Sequence, residues 1–169
     1  MTPHPMESES YQLERQATEL KKAGDWDGAI AALRHVKALA GDSYEDTRLA
    51  KYLQDAGRFE EAMAEIQWLL DRCAQQCRAL FGHQPEVTMQ CQQAGRMATI
   101  HAAAALICKR AKATDLHSHH EAQAAKFSEE RLRLNQLSRQ ARNEELSAWE
   151  QAKLGGAAGI AAYLKGKNQ

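Results

Sequence analysis

The chain has 169 residues, enough for one domain with an appendage, and its 22 basic and 22 acidic side chains cancel. Hydrophobic residues make up 44%, charged residues 26%, and three prolines accompany many Ala, Gln, Glu, Leu and Arg, a composition that favours helix. A membrane span is excluded, because the most apolar run, "ATIHAAAALI", is too short to cross a bilayer.

The balanced charge is unevenly distributed. Residues 1–72 carry 9 Lys+Arg against 14 Asp+Glu, and residues 73–169 carry 13 against 8. The halves are therefore expected to favour different partners, and their opposite signs permit head-to-tail association that salt weakens.

The opening "MTPHPMESES" has neither the basic flank nor the apolar stretch of a secretory signal, so the protein is expected to be cytoplasmic, with residues 1–8 disordered. Cys73, Cys77, Cys91 and Cys108 accordingly read as reduced thiols in helices.

From residue 10 the sequence repeats with a period of 33. Ser10/Ser43, Tyr11/Tyr44, Arg15/Arg48, Ala17/Ala50, Leu20/Leu53, Ala23/Ala56, Gly24/Gly57, Ala29/Ala62 and Ala31/Ala64 are identical pairs without a gap. Trp26/Phe59, Ile30/Met63, Leu33/Ile66 and Val36/Leu69 preserve an apolar face. Each unit predicts two helices joined at Gly24 or Gly57, with the aromatic residue opening the second helix and Ala29 or Ala62 letting the helices approach.

These features resemble the tetratricopeptide repeat (TPR) family over residues 9–72. The matching positions are Ala17, Leu20, Gly24, Trp26, Ala29 and Leu33, then Ala50, Leu53, Gly57, Phe59, Ala62 and Ile66. The period is one residue short of the family's usual spacing, Leu13 and Asp46 stand at its early tryptophan position, and no proline closes either unit. The resemblance implies an all-α protein that binds a peptide or partner helix in a groove formed by the first helices. It places Tyr11, Arg15, Thr18 and Lys22, and Tyr44, Arg48, Lys51 and Asp55, toward that groove. Tyr and Arg suit such contacts, since arginine grips a carboxylate through two parallel hydrogen bonds. A competing reading pairs Arg15 and Arg48 with neighbouring Glu14 and Glu45, or with each other's repeat, and leaves the tyrosines as packing. Small bacterial chaperones of secretion and assembly share the repeat and are a narrower expectation.

Two repeats leave an apolar face open, and the rest of the chain is expected to cover it. The last repeat helix is predicted to continue to Phe81, so that residues 9–81 form one unit. Residues 82–153 are then expected to form a helical hairpin packed on it. Its first helix carries a stripe of Val87, Cys91, Ala94, Ala98, His101, Ala105 and Cys108. "ATDLHSHHEAQ" is predicted as the connecting loop, with a long helix from about His119 to Lys153 that suits a hairpin or a homodimer contact. Gly155, Gly156 and Gly159 lead to a flexible tail over residues 154–169.

Other chemistry is thinly represented. Cys73 and Cys77 with His117, His119 and His120 offer zinc-ligand types, which makes a metal- or redox-responsive regulator an alternative. Buried thiols and exposed histidines are the simpler reading, with His101 a core histidine. The basic run Lys109–Lys112 and the arginines from Arg131 to Arg142 raise nucleic-acid binding, but Glu129, Glu130, Glu144 and Glu145 dilute their field. No nucleophile motif, phosphate loop or paired carboxylate points to catalysis. The expectation is a non-enzymatic interaction protein with no cofactor or metal, whose contacts are Tyr11, Arg15, Lys22, Tyr44, Arg48 and Lys51.

Overall fold

A computed structural model describes residues 8–167. Among them the chain forms seven α-helices, one 3-10 turn and no strand, so the protein is all-α. The helices are α1 (Glu9–Lys22), α2 (Trp26–Ala40), α3 (Arg48–Asp55), α4 (Phe59–Phe81), α5 (Glu86–Arg110), α6 (Thr114–Leu154) and α7 (Gly156–Lys167). Each packs on the next, and α3 also touches α5. None is long and apolar enough to cross a membrane. The disorder expected for residues 1–7 lies outside the described residues, while Ser8 caps α1 by accepting a hydrogen bond from the Tyr11 amide at 3.2 Å.

Two turns have the same construction. Gly24 and Gly57 sit at φ +79° and +76°, a region that costs other residues backbone strain. In each case the glycine amide bonds the carbonyl three residues back, and the following amide reaches five residues back: Asp25 to Leu20 at 2.9 Å, Arg58 to Leu53 at 2.8 Å. These bonds satisfy carbonyls that the helix end would leave open. Beyond each turn, Ala29 and Ala62 are fully buried, and no larger side chain separates the helices there. Trp26 meets the Tyr52 ring edge-on, 6.1 Å between centroids, with the Lys21 ammonium 4.5 Å from the Tyr52 ring centre. The core continues through Ile30, Leu33, Leu49, Ile66, Leu69, Cys73, Cys77 and Ile107.

The two pairs begin differently. α1 has 14 residues and α3 only 8. Residues 41–47, which the period aligns with the start of α1, instead form the 3-10 turn Gly41–Ser43 and an extended segment through Tyr44. Asp46 is the cause nearest to hand. It stands where α1 has half-buried Leu13, and its carboxylate accepts the Arg48 amide at 2.8 Å, capping the helix late. Gln76 of α4 holds the displaced segment, its amide donating to the carbonyls of Asp42 at 2.7 Å and Tyr44 at 2.8 Å.

Helices α5 and α6 run antiparallel, as their cross-contacts require. Thr88 meets Ser138 at 3.1 Å, the Cys91 thiol reaches the Arg131 carbonyl at 3.6 Å, and His117 donates to the Ala105 carbonyl at 3.0 Å. The connection between them is shorter than the sequence predicts. It spans Ala111–Ala113 with Lys112 at φ 59°, and α6 begins at Thr114, so the three histidines expected in a loop lie on a helix. With 41 residues, α6 is about 60 Å long at 1.5 Å per residue, and it outruns α5. The tail expected to be flexible folds back along that overhang as α7. Trp149 and Tyr163 lie 5.4 Å apart, and Lys167 pairs with Glu145, contacts that offset the ordering cost of the glycines.

Candidate functional site

The missing turns of α3 leave a hollow. A cavity of about 590 Å³ opens beside Glu45, Asp46 and Thr47 and is walled by α4, α5 and α6. Its floor is largely apolar, with Leu69 and Cys73 from α4 and Ile100 from α5. Gly95 of α5 lets the Arg131 side chain lie across the helix: a Cβ there would meet the Arg131 Cδ at 3.1 Å. Arg96 pairs with Glu45, and its guanidinium lies 5.4 Å from the centre of the Phe81 ring. Its buried Nη1 has no hydrogen-bond partner among the described residues, a costly arrangement for a cationic donor.

A second, shallower hollow of about 240 Å³ lies on α1, lined by Tyr11, Glu14, Arg15, Thr18, Glu19 and by Arg48 from α3. Tyr11, Arg15, Thr18 and Arg48 of the predicted groove residues are thus brought together. Arg48 is already engaged, by Glu14 at 2.8 Å and by Asp46. Since Glu14 lines the small hollow and Asp46 the large one, this three-residue network runs from one to the other.

The remaining predicted contacts lie elsewhere. Tyr44 is a correction: it precedes α3 rather than sitting on it, and only 3% of it is exposed. Its ring packs against Trp68, and burial, followed by the nearby Asp46 and Glu65 carboxylates, pushes its phenol well above the usual range. It is a core residue, and Tyr11 is not its structural equivalent. Lys22 pairs with Glu19 at 2.9 Å on the surface. Lys51 is half-buried and lines neither hollow. Asp55 is held by Lys21 at 3.2 Å and by Arg110 at 2.5 Å.

The cysteines and histidines occupy separate roles. Burial pushes the Cys73 thiol up to about 12, with Cys77 adding to the effect, and burial raises Cys77 and Cys108 as well. Protonated thiols are poor nucleophiles and poor metal ligands. No three His, Cys, Asp or Glu side chains are grouped to hold a metal ion among the described residues. His101 and His120, the latter expected to be exposed, are both buried and face each other through Nδ1 at 2.9 Å, so one donates and the other accepts. Phe127 stacks on His101 at 5.6 Å. Burial, then the neighbouring His120 and His119, brings His101 down to about 4, and His120 is lowered by burial and His119.

No protein-family model, curated protein or solved structure matches the chain.

Arg96 carries no signal in the sequence, and Arg131 reads there as one of the solvated arginines of the long helix, although Gly95, a glycine inside a predicted helix, is a sign that another side chain crosses there. Asp46 in an otherwise apolar helical position was the corresponding sign of the shortened α3.

Proposed function

We propose that the protein is a non-enzymatic adaptor that receives a segment of a partner protein along the face joining the two hollows. The observation that carries this reading is the cavity of about 590 Å³ where α3 begins late, an open, largely apolar recess with polar groups at its rim. Such a recess accepts an apolar side chain while the rim sets its register. The TPR resemblance of residues 9–72 supports the same reading, because it too assigns the first-helix face to a partner. The metal- or redox-responsive alternative is less favoured, since the buried thiols are held protonated.

Photo-crosslinking in the native host tests the proposal. A photoreactive residue at Gln92, on the cavity wall, or at Tyr11, in the small hollow, is expected to capture the same partner. The exposed Gln67 of α4, outside both hollows, serves as the control. Capture that is equal from Gln67, or absent from Gln92, would count against this surface.

A further inference from the structure

The charge pairing at the two hollows indicates what the received segment carries. The large cavity has four charged lining residues: Glu45, Asp46, Arg96 and Arg131. Arg96 takes Glu45, and Arg48 takes Asp46. Arg131 is exposed and makes no ion pair among the described residues. The small hollow also has four: Glu14, Arg15, Glu19 and Arg48. Glu14 is held by Arg48 and Glu19 by Lys22, whereas Arg15 is exposed and unpaired among the described residues.

At each hollow, then, the one charged side chain without an ion pair among the described residues is an arginine, and between them Arg48 alone is shared by Glu14 and Asp46. Of the acidic residues in 1–72, Glu45 and Asp55 are paired with Arg96 and Arg110 from the basic half.

Building on the adaptor reading, we infer that the partner segment is acidic, with one carboxylate on Arg131, a second on Arg15, and an apolar side chain between them entering the recess over Leu69, Cys73 and Ile100. Arginine is suited to the two outer positions, because its fork binds a carboxylate through two hydrogen bonds and loses little in being partly desolvated. The apolar floor supplies burial, and the arginines supply selection against basic and neutral segments.

The test uses the full chain and fluorescence anisotropy with dye-labelled twelve-residue peptides of alternating leucine and glutamate, leucine and glutamine, or leucine and lysine. The glutamate peptide is expected to bind at least tenfold more tightly than the other two, and its affinity should fall as salt rises. Arg131→Gln and Arg15→Gln should each weaken it several-fold, and the pair together at least tenfold.

Equal binding of the glutamine peptide, indifference to both arginine variants, or no binding of the glutamate peptide overturns the inference. Thr99→Trp and Gln92→Trp, both at exposed positions lining the cavity and checked for helicity by circular dichroism, separate the two levels of the argument. If they abolish binding while the arginine variants leave it unchanged, the recess is the site and the acidic specificity is wrong. If binding survives both tryptophans in folded protein, the adaptor reading of this recess fails as well.

Discussion

The pairs α1–α2 and α3–α4 close in the same way and open differently. At their closing turns, Gly24 and Gly57 have φ values within a few degrees and the same hydrogen bonds, and Ala29 and Ala62 are equally buried. At their N-terminal ends, α1 runs through Tyr11 and Leu13, while the aligned Tyr44 and Asp46 lie in a non-helical segment tied down by Gln76. A 33-residue period can thus preserve the packing of a helix pair while the start of one pair is rebuilt. The rebuilt start is what exposes the large recess.

The comparison is tested most strongly in the shared core. Leu33 and Ile66 occupy matching positions at 1% exposure each. Truncating either to alanine should cost about 2–5 kcal/mol, through lost transfer energy and the void left behind. Urea melts of Leu33→Ala and Ile66→Ala should agree within about 2 kcal/mol, the spread that differing collapse of the surroundings gives to such truncations. A much cheaper Ile66→Ala would mean that the second pair relaxes toward the neighbouring recess, and that the two cores are not equivalent.

The pair α5–α6 extends the comparison by placing histidines where the earlier pairs place apolar groups. His101 and His120 have lowered affinity for protons in the folded state, while the unfolded chain takes them up near the ordinary value of 6.5. The unfolded state therefore binds more protons between pH 6.5 and about 4. Stability is fully present above that window and falls as the pH drops through it. The loss from His101 is on the order of 3 kcal/mol by the usual conversion of a pKa difference. Chemical denaturation at pH 7.5, 5.5 and 4.5 checks the direction. His120→Phe should flatten the profile, and an unchanged slope would place the acid sensitivity in other groups.

Gln76 marks the difference between the pairs directly, since it anchors residues 41–47 and the first pair has no such segment. Gln76→Ala removes two donated hydrogen bonds to backbone carbonyls and should cost about 1–3 kcal/mol, as buried acceptors lose their partner. Hydrogen exchange should quicken in residues 41–47 and stay unchanged in α1. Quickening across both pairs would show that the segment is part of one cooperative core instead of a separately fastened strap.

How much of this was legible depends on which physical effect dominates at each position. The glycine turns, the buried alanines and the extent of α4 follow from local rules, because a positive φ and a close helix contact each restrict the residue type severely. The start of α3 was harder. Nine identities carry Tyr44 onto Tyr11, yet the single change of Leu13 to Asp46 substitutes a capping carboxylate for a helix-facing apolar group. Arg131 and His120 were not legible as site or core residues, because their placement depends on the register of α6 against α5. That register is fixed by contacts 19 to 50 residues apart in the chain. The glycine-rich tail was misjudged for the same reason, since Trp149 and Glu145, rather than local propensity, hold α7.

The smallest effect gives the sharpest comparison. A Cβ added at Gly24 or at Gly57 meets nothing within 4 Å, so neither substitution introduces a clash. The cost of Gly24→Ala or Gly57→Ala is then the backbone strain of a positive φ alone, about 1 kcal/mol in each case. The two costs should match within the error of a thermal melt. D-alanine installed by chemical ligation, which accepts positive φ, should be neutral or slightly stabilising at both positions. If Gly57→Ala costs clearly more, the strain is not local, and the turn between α3 and α4 is coupled to the non-helical segment that distinguishes this pair from the first.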